Sequence, residues 1–563
     1  MFRLPLLLLL LLTSCSAKKP EPVPQEPDWT LHSVKLSAYP EALIRIDNPA
    51  RELSVELPHG SKLGRSTVEI VAASGISTSP KSGEEVDLNN FKAIYLSAQD
   101  GQAARFGVTV TVQPSSSTAF SSLTEERYRV KAFPEGDRFT FHFPHGTDLK
   151  HLSFAAQTKE TLSFSPDIRD LDLSAPRDVT VTAADGKTSR TIRMEALHYP
   201  QDTGVRGVYL PSPSHTGSFL SYAEVQRSVE LLSTLHFNCL FVCAWAGSRV
   251  AWDSEVLLQN STRTSKEAGN MYRSYTGGSG DALRDIIDVA HSKGIKVILW
   301  FEYGFMHGIG GVNTQDPVLA AHPEWIGINS SGKPCNYNDT DYYLNGYDPA
   351  VQDFLMDLMK EALTLYPDLD GIQGDDRLPA MPHNAGYDEK TRSRYLAETG
   401  REVPSNDNDS HWERWRLDLL NAFAARMHKE LKELKPSLVV CFAPNKYPWC
   451  RNMLMQDWPG WIADGSVDLL TVQCYVTANY REDVAATLGY VQEKTDKPLF
   501  NPAMILKNGD TLLSLDQLAA QLQYNREVGT FGESQFWFDG LKDQGIQELF
   551  KLYYNQPLPF PDL

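Results

Sequence analysis

The residues best placed to do chemistry are two adjacent carboxylates, Asp375 and Asp376, followed at once by Arg377. They end the run Leu369-Asp370-Gly371-Ile372-Gln373-Gly374, which reads as a short buried strand after a helix-like stretch from Asp348 to Tyr366. Side chains alternate along a strand, so one acid should face inward and the other along the rim. Gly371 and Gly374 let other groups approach the backbone closely. Paired acids at such a position suit proton transfer and charge stabilisation. The plain alternative is a helix cap with a surface ion pair. The ends of the other strands decide between them.

Those ends carry acids, amides and aromatic rings: Trp245; Trp300, Glu302 and Tyr303; Asn445; Gln473 and Tyr475; Trp537 and Asp539. Glu302 is the first choice for a general acid, because Trp300, Phe301 and Tyr303 would desolvate it and raise its pKa. Asp375 is the first choice for nucleophile or base, with Asp376 as the other carboxylate or a positioning group. Glu533 and Asp539 are reserve acids. Asn445, Gln473 and Tyr475 are expected to hold hydroxyls, and Trp245, Trp300 and Trp537 to line the cleft. Tyr303, Arg377 and Asp539 complete the expected substrate contacts, Arg377 also as a partner for the acids. This mixture fits sugar chemistry: carboxylates for the glycosidic carbon, ring faces for sugar faces. No zinc-type spacing and no Ser-His-Asp set is present, so neither a metal nor a cofactor is expected.

From Gly204 onward, short apolar runs alternate with amphipathic helical stretches, the pattern of a parallel α/β fold. The strand candidates are Gly207–Leu210, Asn238–Trp245, Lys296–Phe301, Asp370–Gly374, Leu438–Ala443, Leu469–Tyr475, Leu499–Met504 and Ser534–Phe538. The helix candidates include Asp281–Lys293, Pro349–Leu365, His411–Leu434 and Arg451–Ala463. Eight strand–helix pairs predict a TIM (β/α)8 barrel over residues 204–560, with the chemistry at the C-terminal strand ends. No Gly-rich loop follows the first strand, against a dinucleotide-binding sheet.

The first two hundred residues read as β structure in duplicate. Pro58-His59-Gly60 recurs as Pro144-His145-Gly146, Ser79-Pro80 as Ser165-Pro166, and Asp100-Gly101 as Asp185-Gly186, at a nearly constant offset. Alternating runs with Asp-Gly turns predict two small antiparallel, Ig-like sandwiches over residues 31–115 and 125–198, serving as a spacer. Ahead of them, residues 1–15 form a short basic start and an apolar run too short to span a membrane. The segment ends in Leu12-Thr13-Ser14-Cys15, which resembles a bacterial lipobox with Cys15 as the lipidated residue. Residues 16–30 then read as a stiff Pro-rich tether. A lipid-anchored protein of the bacterial outer membrane is expected.

The net charge of −18 argues against nucleic acid and polyanions as partners, but not against a largely neutral sugar. Besides Cys15 the chain has six cysteines; Cys239 and Cys243 read as buried thiols, and Cys441 and Cys450 could pair, a connectivity that sequence alone does not establish.

Four segments carry a family resemblance: LRDIIDVAHSKGIKVILWFEY (283–303), HPEWIGINSSGKP (322–334), the run from Tyr342 to Asp376, and DLLTVQCY (468–475). They resemble the glycosyl-hydrolase-like family ten, over roughly Gly204 to Leu541. That family usually has His-Phe or His-Leu where this chain has Gln373-Gly374, and an aromatic where it has Arg377. The resemblance implies a lipoprotein that cleaves peptidoglycan glycan strands. A glycoside hydrolase acting on a cell-wall glycan or other polysaccharide is therefore expected. The rival expectation is a glycan-binding lipoprotein on the same barrel, without turnover.

Overall fold

The structure, a computed structural model, describes residues 26–307, 316–337 and 341–563. The signal segment, Cys15 and most of the tether lie outside these residues. The chain divides into two compact units.

The first unit comprises the described residues up to Phe120 together with Thr158–Phe164 and Thr180–Arg190. Leu31–Leu36, Arg65–Ala72 and Glu84–Asp87 form one sheet; Leu43–Asp47, Glu52–Leu57, Ala103–Val112, Ala93–Ala98 and Ile76–Ser79 form another, in that order. Their alternating apolar residues, among them Val55, Leu57, Val68, Ile94, Leu96 and Phe106, meet in one core. The antiparallel expectation needs correcting at one pairing in each repeat. Glu52–Leu57 pairs in parallel with Ala103–Val112, Leu53 standing opposite Val108. Hydrophobic alternation is the same for either strand direction, so it carries no information on this point.

The second unit holds the remaining β strands and the α/β part. Here Arg138–Phe143 pairs in parallel with the end of Ser189–His198, Phe139 opposite Met194. This repeats the Leu53–Val108 pairing at an offset of 86 residues, the offset between Pro58 and Pro144.

The α/β part contains β1 (Val205–Leu210), β2 (Cys239–Cys243), β3 (Lys296–Trp300), β4 (Gly371–Asp375), β5 (Val439–Ala443), β6 (Leu469–Leu470), β7 (Ala503–Ile505) and β8 (Gly532–Phe536). All are parallel in one sheet, ordered β6-β5-β4-β3-β2-β1-β8-β7. The sheet curls so far that its edges meet. Leu470, Val472 and Cys474 exchange backbone hydrogen bonds with Leu499, Asn501 and Ala503. Helices follow the strands, and most begin at a side-chain cap: Ser221, Asp281, Asp348, Asp409, Ser514 and Asp543 each accept a backbone N–H of the first turn.

One expectation fails here, and the open question of a Cys441–Cys450 pairing is answered. The helix foreseen over Arg451–Ala463 is two short helices, Trp449–Leu454 and Trp458–Ala463, separated by Met455 in the left-handed region (φ 53°). Cys441 and Cys450 are free thiols, the first inside the sheet and the second donating to the Gln456 carbonyl. The His322–Trp325 motif serves as scaffolding. His322 stacks on Trp325 at 3.9 Å, Trp325 packs on Phe354, and its carbonyl accepts the Asn345 N–H. That ties the loop to the helix Pro349–Leu365.

Candidate active site

Every second side chain of the curled sheet faces its interior. Tyr209 of β1, Phe241 and Cys243 of β2, Ile298 and Trp300 of β3, and Cys441 of β5 belong to one interior cluster. The residues between them, such as Val208, Val242, Leu299 and Phe442, belong to the outer core beneath the helices. The same alternation brings Gln373 and Asp375 of β4 inward, and Glu302, two residues past Trp300. Asp375 feels the charges of Asp376, Arg377 and Glu302, and Glu302 feels those of Arg377 and Asp376, so the acids converge from adjacent strands.

Asp375 is 1% exposed. Its Oδ1 accepts the Asp376 N–H at 2.7 Å and the Gln473 Nε2–H at 2.8 Å, and Arg377 Nη1 lies 3.8 Å from Oδ2. Gln456 fixes the backbone by donating to the Asp375 carbonyl at 3.0 Å. Burial, then the charge of Asp376, pushes the Asp375 pKa well above the usual carboxylate range; Arg377 and the Asp376 N–H act the other way. Asp376 has both oxygens engaged, Oδ1 by Arg377 and Oδ2 by Asn445 Nδ2 at 2.8 Å. It is the counter-ion of Arg377, whose guanidinium also lies over the Tyr303 ring at 5.7 Å.

Glu302 differs. Its Oε2 is buried with no hydrogen-bond partner among the described residues. Burial pushes its pKa up to about 7, with the Cys243 thiol and Arg377 opposing the shift. A carboxyl that keeps its proton near neutrality can act as a general acid.

The other expected residues divide into three groups. Asn445 and Gln473, expected to hold hydroxyls, spend amide hydrogens on Asp376, on Asp375 and, for Gln473, on the Ala443 carbonyl at 3.1 Å. They position the acids. Tyr303, Tyr475 and Trp537 are half-buried and pack on the interior cluster, whereas Trp300, at 3% exposed, is part of its floor. Trp245 does not line a cleft. It is fully buried in the outer core, donates to the Gly304 carbonyl at 2.9 Å and meets Phe354 edge-on. The alternation breaks at Ala244, after which Trp245 belongs to a separate hairpin.

Asp539 stands apart from the acids and braces the loop after β1. Its Oδ1 accepts from Thr216 and Ser218 and pairs with Lys542; burial would raise its pKa, but these contacts outweigh that and lower it. Glu533 faces the helices, where it accepts from Tyr554 and Asn525. Sequence reasoning passed over Tyr209 and Gln456 and read Cys243 only as a buried thiol. Strict alternation would have placed Tyr209 and Cys243 inside the sheet; nothing in the sequence marked Gln456.

Residues 204–508 match the family described as Glycosyl hydrolase-like 10. The glycosyl hydrolase DigH of Escherichia coli (strain K12) is 23% identical over 252 residues, covering 43% of this chain and 51% of that protein. DigH of Shigella flexneri gives the same figures. The chain thus matches about half the length of these curated relatives. The PgaB (BpsB) glycoside hydrolase domain of Bordetella bronchiseptica aligns with a TM-score of 0.46 and 11% identity, covering 63% of this chain and 99% of that one. A catalytic mutant of the β-galactosidase Gan42B from G. stearothermophilus aligns at 0.43 and 12%, covering 63% and 57%.

Proposed function

The chain belongs to the glycosyl hydrolase-like 10 family, and from that premise we propose that it is a glycoside hydrolase acting on a cell-wall glycan or another polysaccharide. The supporting observation is the contrast between two converging carboxyls: Asp375, supplied with N–H donors, and Glu302, with none on Oε2. N–H donors favour an ionised carboxylate, and an apolar wall favours a protonated one. Asp375, which burial also holds toward its protonated form, serves as nucleophile or base once it has ionised. Glu302 delivers the proton to the leaving oxygen. Asp376, Arg377, Asn445 and Gln473 hold the pair in place, while Tyr303, Tyr475 and Trp537 meet the sugar faces.

In this reading the curled sheet is a TIM barrel working at its C-terminal strand ends. The β regions are Ig-like spacers, and Cys15 carries a lipid that holds the protein at a bacterial outer membrane. The near-complete burial of Asp375 favours a second reading, a glycan binder without turnover. One experiment separates them. The chain from Ser16 onward is incubated with peptide-stripped peptidoglycan and a panel of polysaccharides. Release of reducing ends that disappears in Asp375→Asn supports the hydrolase. Retention on a glycan with no release supports the binder.

A further inference from the structure

Inside the sheet, Tyr209 Oη, Trp300 Nε1 and Gln373 Oε1 are buried without a hydrogen-bond partner among the described residues. A buried polar group left unsatisfied is costly, so three at one spot point to a ligand that satisfies them. They are contiguous. Trp300 and Gln373 are register partners on β3 and β4 and face the same interior, about 5 Å apart along the sheet. The Tyr209 ring meets Trp300 edge-on at 4.9 Å and stacks on Phe241 at 4.7 Å. The Gln373 amide lies within reach of the Tyr209 hydroxyl and opposes the rise in its pKa that burial and the charge of Asp375 cause. Asp375 is two residues beyond Gln373 on the same face. Tyr209 and Trp300 are 1% and 3% exposed and wedged by neighbouring rings, so neither polar atom can swing out to solvent.

We propose that this spot binds one water molecule beneath Asp375, through which Tyr209 is a positioning residue for that carboxyl. The valences match those of water. The phenol and the indole donate two hydrogen bonds to it; it donates one to Gln373 Oε1 and one to Asp375. Buried waters ordinarily make about three such bonds, within a range of two to four. An anion is disfavoured, because Asp375 and Glu302 face the same interior. Donation from below stabilises ionised Asp375 while leaving its other side open. The proposal rests on the proposed function only for the role of Asp375.

The test does not need turnover. Besides Tyr209 itself, the titratable and charged groups acting on Asp375 are Glu302, Asp376, Arg377, Cys243 and Tyr475, so an Asp375→Asn background isolates its share. Tyr209→Phe keeps the ring and removes one valence. The folded Asp375 should then ionise still less readily, so Tyr209→Phe should lose ground to wild type as pH rises. The Tm gap is expected to widen by a few degrees, about 2–4 °C, between pH 4 and pH 9, and to stay flat in the Asp375→Asn background. A high-resolution crystal structure should show a water within hydrogen-bond reach of Tyr209 Oη, Trp300 Nε1 and Gln373 Oε1. A gap with the same pH course in both backgrounds, or no density there, overturns the proposal. Absence of glycan hydrolysis by the wild type would overturn the proposed function and leave this result standing.

Discussion

The Phe305 N–H donates to the Arg377 carbonyl at 3.0 Å. This bond joins the loop carrying Glu302 to the turn carrying Asp375 and Asp376, so the acids are held by backbone contact as well as by side chains. Gly304, at φ 48°, makes the approach feasible: a Cβ there would lie 2.4 Å from the Arg377 oxygen and 2.6 Å from the Leu378 Cβ. Gly304→Ala should force the loops apart, destabilising the fold by about 2–4 kcal/mol and lowering activity at least tenfold. Gly294→Ala is the control. It too has positive φ, but nothing lies within 4 Å, so it should cost about 1 kcal/mol and leave activity intact. Denaturant unfolding and kcat/KM decide the comparison.

Glu302→Gln should abolish hydrolysis while raising stability at alkaline pH. The folded pKa of Glu302 lies above its unfolded value, so the folded state binds the extra proton between about pH 4.5 and 7. Wild-type stability therefore falls as pH rises through that window, by an amount on the order of 3 kcal/mol. The glutamine variant should lack this fall. Activity that depends on protonated Glu302 should likewise decline above about pH 7. A variant no more stable than wild type at pH 8 would count against burial as the cause.

Gln473→Met separates positioning from substrate binding. If Gln473 serves Asp375, as its 2.8 Å bond indicates, kcat should drop about tenfold with KM nearly unchanged, and the acidic limb of the pH profile should move upward. A raised KM with unchanged kcat would restore the hydroxyl-binding role expected from sequence.

Two aspartates at the opposite ends of the strands should govern acid unfolding. Asp370 accepts from His291, Lys296 and the Val297 N–H; Asp468 accepts from His428 and the Val440 N–H and pairs with Lys432. Burial would raise both pKa values, but these contacts outweigh it and hold them below the usual 3.8. Their stabilisation is thus present above about pH 4 and lost as pH falls through the depressed values. Asp370→Asn should cost about 2 kcal/mol at pH 7 and less at pH 3, as followed by circular dichroism.

The strands and the inward direction of Asp375 were legible because period-two alternation acts locally and survives folding. The same rule misled at Trp245, since β2 ends two residues earlier, at Cys243, and the next hairpin turns the indole outward. Asn445 and Gln473 were recognisable as site residues, yet their partners are acids rather than a ligand. Which amide faces which carboxyl depends on contacts between β4, β5 and the segment after β6. Gln456 reaches the site through a helix break that the apolar period across residues 451–463 conceals.

The described thiols, Cys239, Cys243, Cys335, Cys441, Cys450 and Cys474, are all unpaired and buried. A solvent-borne alkylating reagent therefore has little to react with until the strands separate. Labelling at these six sulfurs becomes a clock for opening of the α/β unit, readable by mass spectrometry one position at a time. Their maturation also needs no thiol exchange, so refolding of this unit should proceed at the same rate with or without a reductant.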